Sequence, residues 1–475
     1  MRQHNRHIPI LAAALLAFPA CSGNDGEGND PVFLSPDAMV YFNINVKLSE
    51  SLASRSLTSG TDSSSDGTEP GSEDENRIMR AILVLRAKNS GGKDLFIPVI
   101  GASPAAHTTG YTLTAGLSLE EALSFGKSAE GMEYEVFIIA NHDNTTYLSL
   151  AGGDFRLEDF RYSVTGLGSN LLSIASGLPM SNFRSQSLTI HGWDEETFAS
   201  HMMEDSPFPL MDTPIEIERS VARIDYRDKC RDNIDGSLLE KEPHTYRVGQ
   251  SGYIVRLRAM CPFNVSREFF TFRHIYNPDT DKTEFLGRET ETNYFLDTDN
   301  DIKLGEITAL PAEHFINQVS VPFNPPADRE GWENVSTDSY LWKDDDSTNG
   351  GYTPWIYLPE NTIADAGRQL RGFTTGILFR FEITEAPDNA PEERQKGNTL
   401  DYYYFIRHND NDDPEVSGPM EFGVVRNNIY KLSVESVSSF PIPYDPEDPD
   451  EPKDPELVVK VAVNDWRQLT FEYDY

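Results

Sequence analysis

The sequence predicts an all-β protein with a few short helical insertions. Three observations support this class. Segments in which apolar and polar residues alternate recur along the chain, β-branched and aromatic residues fill them, and turn-forming residues bound them. Helix signals are few and short. The length of 475 residues suits two domains, each large enough to bury its own core.

The composition is strongly acidic. The chain has 40 Lys plus Arg against 77 Asp plus Glu, which gives a formal net charge of −37. Such a surface repels phosphate backbones, so nucleic acid is not an expected partner. The hydrophobic fraction of 38% and the aromatic fraction of 11% are large enough for a folded body.

Residues 1–20 have the pattern of a signal peptide. Basic residues precede a short apolar stretch, 8–18, which is too short for a membrane-spanning helix. A small residue stands immediately before Cys21, and a polar segment follows it. This order indicates export with acylation of Cys21, and it makes residues 21–37 a lipidated polar tether. A plain secretory signal with an unmodified cysteine is the alternative.

The first strand is predicted directly after the tether, over residues 38–48, where the alternation is strict. The apolar face of this strand consists of Val40, Phe42, Ile44, Val46 and Leu48. The next tract, 51–76, is rich in Ser, Gly and acidic residues. Because it has no apolar face to bury, we predict a flexible, protease-accessible loop there.

Further strands are predicted along the rest of the chain from β-branched and aromatic content. They cover residues 78–85, 133–140, 216–226, 252–260, 373–383, 401–407, 428–437 and 457–463. Short helices are predicted over 118–125, where Ser118 and Glu121 can form a capping box, and over 194–203 and 362–370.

A cluster of prolines at 207–214 predicts a linker between an N-terminal domain, 38–212, and a C-terminal domain, 213–475. A second segment, 441–456, holds six prolines and seven acidic residues and is expected to be extended. Beyond it, after the predicted strand at 457–463, apolar and polar residues alternate again over 469–475. An edge strand of the local sheet explains that pattern as well as a strand offered to another molecule does.

Motifs for chemistry are absent or weak. We find no nucleophile elbow, zinc-binding helix, phosphate loop or dinucleotide fingerprint, so an enzyme is disfavoured and no catalytic residue or cofactor is predicted. Acidic clusters at 297–301, 344–346 and 410–413 depart from the EF-hand pattern, which favours solvated loops over calcium sites. Cys230 and Cys261 could form a disulfide or be two separate buried thiols.

Several local phrases resemble the fimbrillin family, the subunits of type V pili. The phrases are FIIAN at 137–141, LPMS at 178–181, EIERSVARID at 216–225, YLPENT at 357–362, RNNIYKL at 426–432 and VAVNDW at 461–466. They follow the family's order across most of the mature chain. We interpret Arg219, Arg223 and the segment 426–430 as anchors of strands at the domain junction rather than as binding sites.

The resemblance implies two transthyretin-like β-sandwich domains and export as a lipoprotein of the outer membrane, with an acyl chain such as palmitate on Cys21. It also implies that an Arg-specific surface protease removes the first strand, which a C-terminal strand of a neighbouring subunit then replaces. Arg55 and Ser56 fit the processing point. The residues that fit the donor strand, within 457–475, are Val459, Val461, Val463, Leu469, Phe471 and Tyr473.

The leading hypothesis is therefore a structural, adhesive subunit of a surface fimbrium, which starts as an outer-membrane lipoprotein precursor. Its expected partners are other pilus subunits, including copies of itself and anchor and tip proteins, as well as the protease and an unidentified receptor. The sequence leaves open whether it is a stalk, tip or anchor subunit. One alternative is a glycan-binding surface lipoprotein with an exposed platform of Trp332, Trp342 and Trp355. Another is a hydrolase with unrecognised residues.

Overall fold

The structure is a computed structural model that describes residues 38–48, 68–89, 92–104, 110–142, 156–228, 245–277, 279–288, 294–295, 352–362, 374–408, 422–441 and 457–467. Strands dominate these ranges, which confirms the predicted all-β class. The α-helices in them are α1 (Glu73–Asn76), α2 (Leu119–Ala129) and α3 (Glu195–Phe198). In the described part of the chain, every helix is too short or too polar to cross a bilayer.

The first sheet surrounds the N-terminal hydrophobic core. Its strands are β1 (Met39–Leu48), β3 (Ala81–Ala87), β4 (Leu95–Pro104), β5 (Tyr111–Ser118), β6 (Glu133–Ala140), β8 (Met180–Asn182), β9 (Gln186–Thr189), β10 (Phe208–Pro209) and β11 (Ile215–Arg219). The order is β10-β1-β11-β8-β6-β3-β4-β5, with β9 beside β6. Because β5 also pairs with β1, the sheet closes on itself.

Two further sheets enclose the second core. Their strands are β2 (Thr68–Pro70), β12 (Val221–Asp228), β13 (Thr245–Arg247), β14 (Ile254–Phe263), β19 (Thr353–Pro359), β21 (Gly376–Glu385), β22 (Thr399–Phe405), β24 (Asn428–Val437) and β25 (Leu457–Arg467). One sheet has the order β19-β12-β24-β25-β2, and the other has the order β13-β14-β21-β22. Side chains from both sheets form one buried apolar cluster, as expected for two facing layers.

Smaller strand pairs complete the described structure. They are β7 (Arg161–Ser163) with β15 (Glu268–Phe270), β16 (His274–Asn277) with β17 (Lys282–Phe285) and β18 (Tyr294–Phe295), and β20 (Asn361–Thr362) with β23 (Gly423–Val424).

The chain passes from the first sheet to the second at Ser220, the residue between β11 and β12. Trp466 of β25 and Ile429 of β24 pack into the first hydrophobic core, although their strands belong to the second sheet. This crossing places the ends of several strands from both sheets close together. Arg219 and Arg223 lie on either side of it.

Most predicted strands are observed, and the boundaries of two coincide with β6 and β24. The predicted helix at 118–125 is α2, which continues to Ala129, and its N-cap is Ser118 as expected. The helix predicted over 194–203 is shorter and ends at Phe198. The segment predicted as a linker, 207–214, lies within the first sheet instead, because two of its residues form β10 and pair with β1 and the next strand, β11, belongs to the same sheet.

The predicted flexible loop over 51–76 is wrong for its last nine residues. Residues 68–76 form β2 and α1, and Glu69, Glu75 and Asn76 are buried. The prediction assumed that a segment without apolar residues has nothing to bury. Here carboxylates are buried because cationic side chains of the second sheet neutralise them.

Candidate assembly site

Strand β1 lies inside the first sheet and is paired on both of its edges. One edge forms eight antiparallel pairs with β5, from Met39 opposite Ser118 to Val46 opposite Tyr111. The other edge runs parallel to β10 and then to β11. A strand in this position supplies backbone hydrogen bonds to three neighbours, so its removal would leave all three with unpaired groups.

The inward face of β1 is almost fully buried. The exposed fractions of Val40, Phe42 and Ile44 are 0%, and those of Val46 and Leu48 are 2% and 7%. The side chains between them are only partly buried. The sequence pattern therefore determines which face of β1 contacts the core, because successive side chains of a strand point to opposite faces.

The Phe42 ring occupies a pocket of aromatic side chains, which we call the aromatic socket. Its walls are Trp193, Phe198 and Phe208, with ring centroids 5.0, 5.9 and 6.1 Å from that of Phe42. The Phe198 and Phe208 rings meet Phe42 edge to face, a preferred arrangement of aromatic pairs. Helix α2 packs against the socket, since the ring centroids of Phe125 and Trp193 are 5.4 Å apart.

Residues 68–76 form a second feature next to the segment where processing is predicted, and we call them the clasp. Strand β2 of the clasp runs parallel to the end of β25, with Glu69 opposite Trp466. A capping box starts α1: the Glu75 N–H donates to Ser72 Oγ (3.3 Å), and the Ser72 N–H donates to Glu75 Oε2 (2.6 Å). The clasp thus ties residues 68–76, which follow β1 in the sequence, to the end of β25.

The guanidinium of Arg223 is buried among three carboxylates. It donates to Glu69 Oε1 at 2.7 Å, to both oxygens of Glu75 at 3.1 Å, and to both oxygens of Asp225 at 2.8 Å. Lys431 forms a further ion pair with Glu69. Two of the three acidic residues come from the clasp, so the clasp provides most of the negative charge that this buried arginine requires.

Arg219 connects the clasp to the end of β25. Its guanidinium lies over the Trp466 ring, 4.2 Å from the centroid, and donates to the Trp466 carbonyl at 3.2 Å. It also donates to the side chain of Asn76 in the clasp. The Trp466 ring also stacks on Tyr357, with centroids 5.9 Å apart and an interplanar angle of 9°. Trp466 therefore contacts both an arginine and a tyrosine.

The pKa values in this cluster reflect burial and the nearby charges. Burial lowers the pKa of Arg219 to about 9, although Glu75 opposes the shift, so the guanidinium stays charged at neutral pH. Burial also tends to lower the pKa of Arg223, but Asp225 and Glu75 raise it overall. Burial raises the pKa of Glu75, but Arg223, the Ser72 N–H and the Tyr357 hydroxyl together hold it below its usual value. Burial raises the pKa of Asp225, although Arg223 opposes this shift.

A second buried ion pair lies nearby. Arg426 donates to Glu360 at 2.9 Å and to the backbone carbonyls of Phe270 and Thr271 at 2.6 and 3.1 Å. The interpretation of Arg219, Arg223 and the 426–430 segment as structural anchors agrees with these contacts. Of the described residues, none form a cluster of His, Cys, Asp and Glu suited to a metal ion.

Gly71 allows the clasp to approach the cluster closely. A Cβ atom at this position would lie 2.6 Å from Trp466 Nε1 and 2.8 Å from Arg219 Nη2. We expect Gly71→Ala to lower the free energy of unfolding by about 1–3 kcal/mol, because the neighbours must move. Gly166→Ala is the matched control, since a Cβ atom there would have no atom within 4 Å. Urea unfolding measures both, and equal midpoints would contradict the close packing of the clasp.

The other predicted site residues divide into two groups. Cys21, Arg55, Ser56, Leu469, Phe471 and Tyr473 lie outside the described residues, as do Cys230, Trp332, Trp342 and the three acidic clusters. Val459, Val461 and Val463 lie on β25, which pairs with β24 of the same chain. Cys261 is a buried thiol.

The aromatic platform of the glycan-binding alternative is not observed for its one described member. Trp355 is 8% exposed and packs in the second hydrophobic core. A buried ring cannot stack on a sugar, so this part of the prediction is wrong. The physical reason is the usual one for an all-β protein, in which aromatic side chains fill the core first.

Sequence reasoning missed Glu69 and Glu75 because they stand in a polar, acidic tract. One signal was available. Ser72 and Glu75 have the spacing of a capping box, the same pattern that predicted the start of α2. It could have indicated α1, but no local pattern could have indicated that the acidic side chains meet Arg223.

Comparison with known proteins indicates which class of protein this chain resembles. Residues 396–472 match the family model described as "Major fimbrial subunit protein type IV, Fimbrillin, C-terminal". The resemblance to the fimbrillin family is confirmed. The matched range includes β24, β25 and the residues between them. This match supports the class of fimbrial subunits.

Solved structures of fimbrial proteins also align along most of the chain. A fimbrilin (FimA) from Porphyromonas gingivalis is 13% identical, with 92% of this chain and 99% of that chain covered and a TM-score of 0.39. The tip fimbrial protein Mfa3 of the same organism is 13% identical, with 90% and 100% covered and a TM-score of 0.37. Curated protein sequences give no significant match.

Proposed function

We propose that this fimbrillin-like chain is a structural subunit of a surface fimbrium that polymerises by strand replacement. In this proposal Cys21 is acylated after export, the chain forms two transthyretin-like domains that meet at Ser220, between β11 and β12, and β1 is the strand that is removed. The single observation that carries the proposal is the position of β1. It is an N-terminal strand inside a closed sheet, and it ends at Leu48, shortly before Arg55 in the sequence.

The energy of the exchange supports this role for β1. Full burial of Val40, Phe42, Ile44, Val46 and Leu48 contributes up to about 7–15 kcal/mol. This is similar to the net stability of a whole domain, which is about 5–15 kcal/mol. A subunit without β1 would expose an apolar groove with unpaired backbone groups on both sides, and a strand from a neighbour would satisfy both. Head-to-tail repetition of that contact produces a filament.

The clasp supports processing at Arg55 over later arginines. Cleavage after Arg77 or Arg80 would remove Glu69 and Glu75 and leave Arg223 buried with one carboxylate instead of three. The carbonyls of Arg77 and Arg80 also accept hydrogen bonds from Asn141, from its side chain and its N–H respectively, both at 2.8 Å. Cleavage before Thr68 would release β1 and keep the clasp.

Processing can be tested by N-terminal sequencing of protein recovered from the cell surface. We expect a mature N-terminus at Ser56 for the wild type, and a precursor that keeps β1 for Arg55→Ala. Arg77→Ala is the matched control, because its side chain is exposed and its salt bridge with Asp74 lies at the surface. It should leave the N-terminus unchanged. It should also leave unchanged the ladder of SDS-resistant oligomers that polymerisation is expected to produce on a gel. An unchanged N-terminus and ladder for Arg55→Ala would refute the processing step.

A further inference from the structure

We infer that the aromatic socket is a specificity site that selects Phe471 of a neighbouring copy of this chain as the residue that replaces Phe42. The inference rests on the strand replacement proposed above, and it chooses between the two donor segments that the sequence left open. It follows from three properties of the structure: the shape of the socket, the pairing of β25, and the order of side chains after Trp466.

The socket requires an aromatic occupant. Phe42 is fully buried, and three aromatic rings surround it at centroid distances of 5.0–6.1 Å. An aliphatic side chain of the size of valine would leave a void between these rings, and voids in a close-packed core are unfavourable. The other inward positions of β1 hold aliphatic residues. The groove therefore has one position of special shape, and that position determines the register of an incoming strand.

Strand β25 does not supply such an occupant. At its alternate positions, Val459, Val461 and Val463, every side chain is a valine. Its one aromatic residue, Trp466, is fully buried and contacts Arg219 and Tyr357.

The pairing of β25 leads to the same conclusion. It forms nine pairs with β24 and three with the clasp, so its donation to another subunit would open the second sheet and expose the charged cluster. The donor residues must therefore follow Arg467.

The residues after Arg467 alternate as those of β1 do, and one register places Phe471 in the aromatic socket. Leu469, Phe471 and Tyr473 alternate with Thr470 and Glu472. When Phe471 takes the place of Phe42, Leu469 takes that of Val40 and Tyr473 that of Ile44, while the polar residues take the outward positions. A donor that runs in the direction of β1 keeps the antiparallel pairing with β5, which is the longest ladder that β1 forms.

The test uses the full-length chain after treatment with an Arg-specific protease, with SDS-resistant ladders as the readout. We expect Phe471→Ala to reduce ladder formation by about 30-fold or more, as for the loss of an aromatic residue from a buried hot spot. Thr470→Ala, the neighbouring outward position, should polymerise like the wild type. If Phe471→Ala and Thr470→Ala both form normal ladders, the socket does not select Phe471, although strand replacement itself stands.

A second measurement does not depend on folding of the variant. A synthetic peptide of residues 467–475 should block ladder formation by the cleaved wild-type chain, and the same peptide with Phe471→Ala should not. Equal inhibition by the two peptides would overturn the inference. If the cleaved wild-type chain forms no ladder at all although release of β1 is verified, the proposed polymerisation fails, and the role of Phe471 fails with it.

Discussion

Replacement of Arg223 by alanine is expected to lower the free energy of unfolding by about 3–5 kcal/mol, because it removes one side of a buried ionic cluster. Glu69, Glu75 and Asp225 would keep their buried carboxylates without the guanidinium that all three contact. Chemical unfolding at pH 7 measures the effect. Arg258→Ala is the matched control: its ion pair with Glu382 has the same 2.7 Å separation as that of Arg223 with Glu69, but its partners are 38% and 32% exposed.

Solvent-exposed ion pairs contribute about 0–1 kcal/mol, so Arg258→Ala should have little effect.

The two variants, Arg223→Ala and Arg258→Ala, should also differ in how their stability depends on pH. The folded-state pKa of Glu75 lies below its ordinary value of 4.5, so the stabilisation from its charge is present above that pH and is lost as the pH falls through the folded value. In Arg223→Ala the buried carboxylates gain from protonation. The difference from wild type should therefore shrink between pH 7 and pH 4, and a constant difference would show that charge is not the cause.

Replacement of Phe42 by alanine is expected to cost about 3–5 kcal/mol in the intact chain, because a buried phenylalanine is lost and the socket is left with a cavity. Lys47→Ala on the same strand is the control, since Lys47 is 44% exposed and its partner Glu216 keeps a second ion pair with Arg184. Its effect should stay within about 1 kcal/mol. Urea unfolding of the uncleaved chain distinguishes the two.

Phe42→Ala should also speed the release of β1 after cleavage. With its main aromatic contact removed, β1 should dissociate from the cleaved chain faster than the wild-type strand does. Loss of the N-terminal peptide on gel filtration after protease treatment measures this step. Similar unfolding midpoints for Phe42→Ala and Lys47→Ala would mean that the socket does not hold β1 in the way its geometry indicates.

The predictions from sequence succeeded where structure follows from local pattern. The alternation in β1 identified its buried face, and the capping residue Ser118 identified the start of α2. The predictions failed where distant residues decide the outcome. The acidic end of the 51–76 tract was expected to be flexible, but Arg223, which is 154 residues from Glu69 in the sequence, provides the charge that allows part of it to be buried.

The same distinction applies to the assembly site. The sequence by itself determined that an amphipathic strand lies near the N-terminus and that apolar alternation follows β25 at the other end, because the two-residue period of a strand is visible in any short window. Only the tertiary structure decided that Phe42 enters an aromatic socket and that β25 is committed to its own sheet. These facts depend on which strands become neighbours, and long-range packing and charge pairing, not local propensity, determine that.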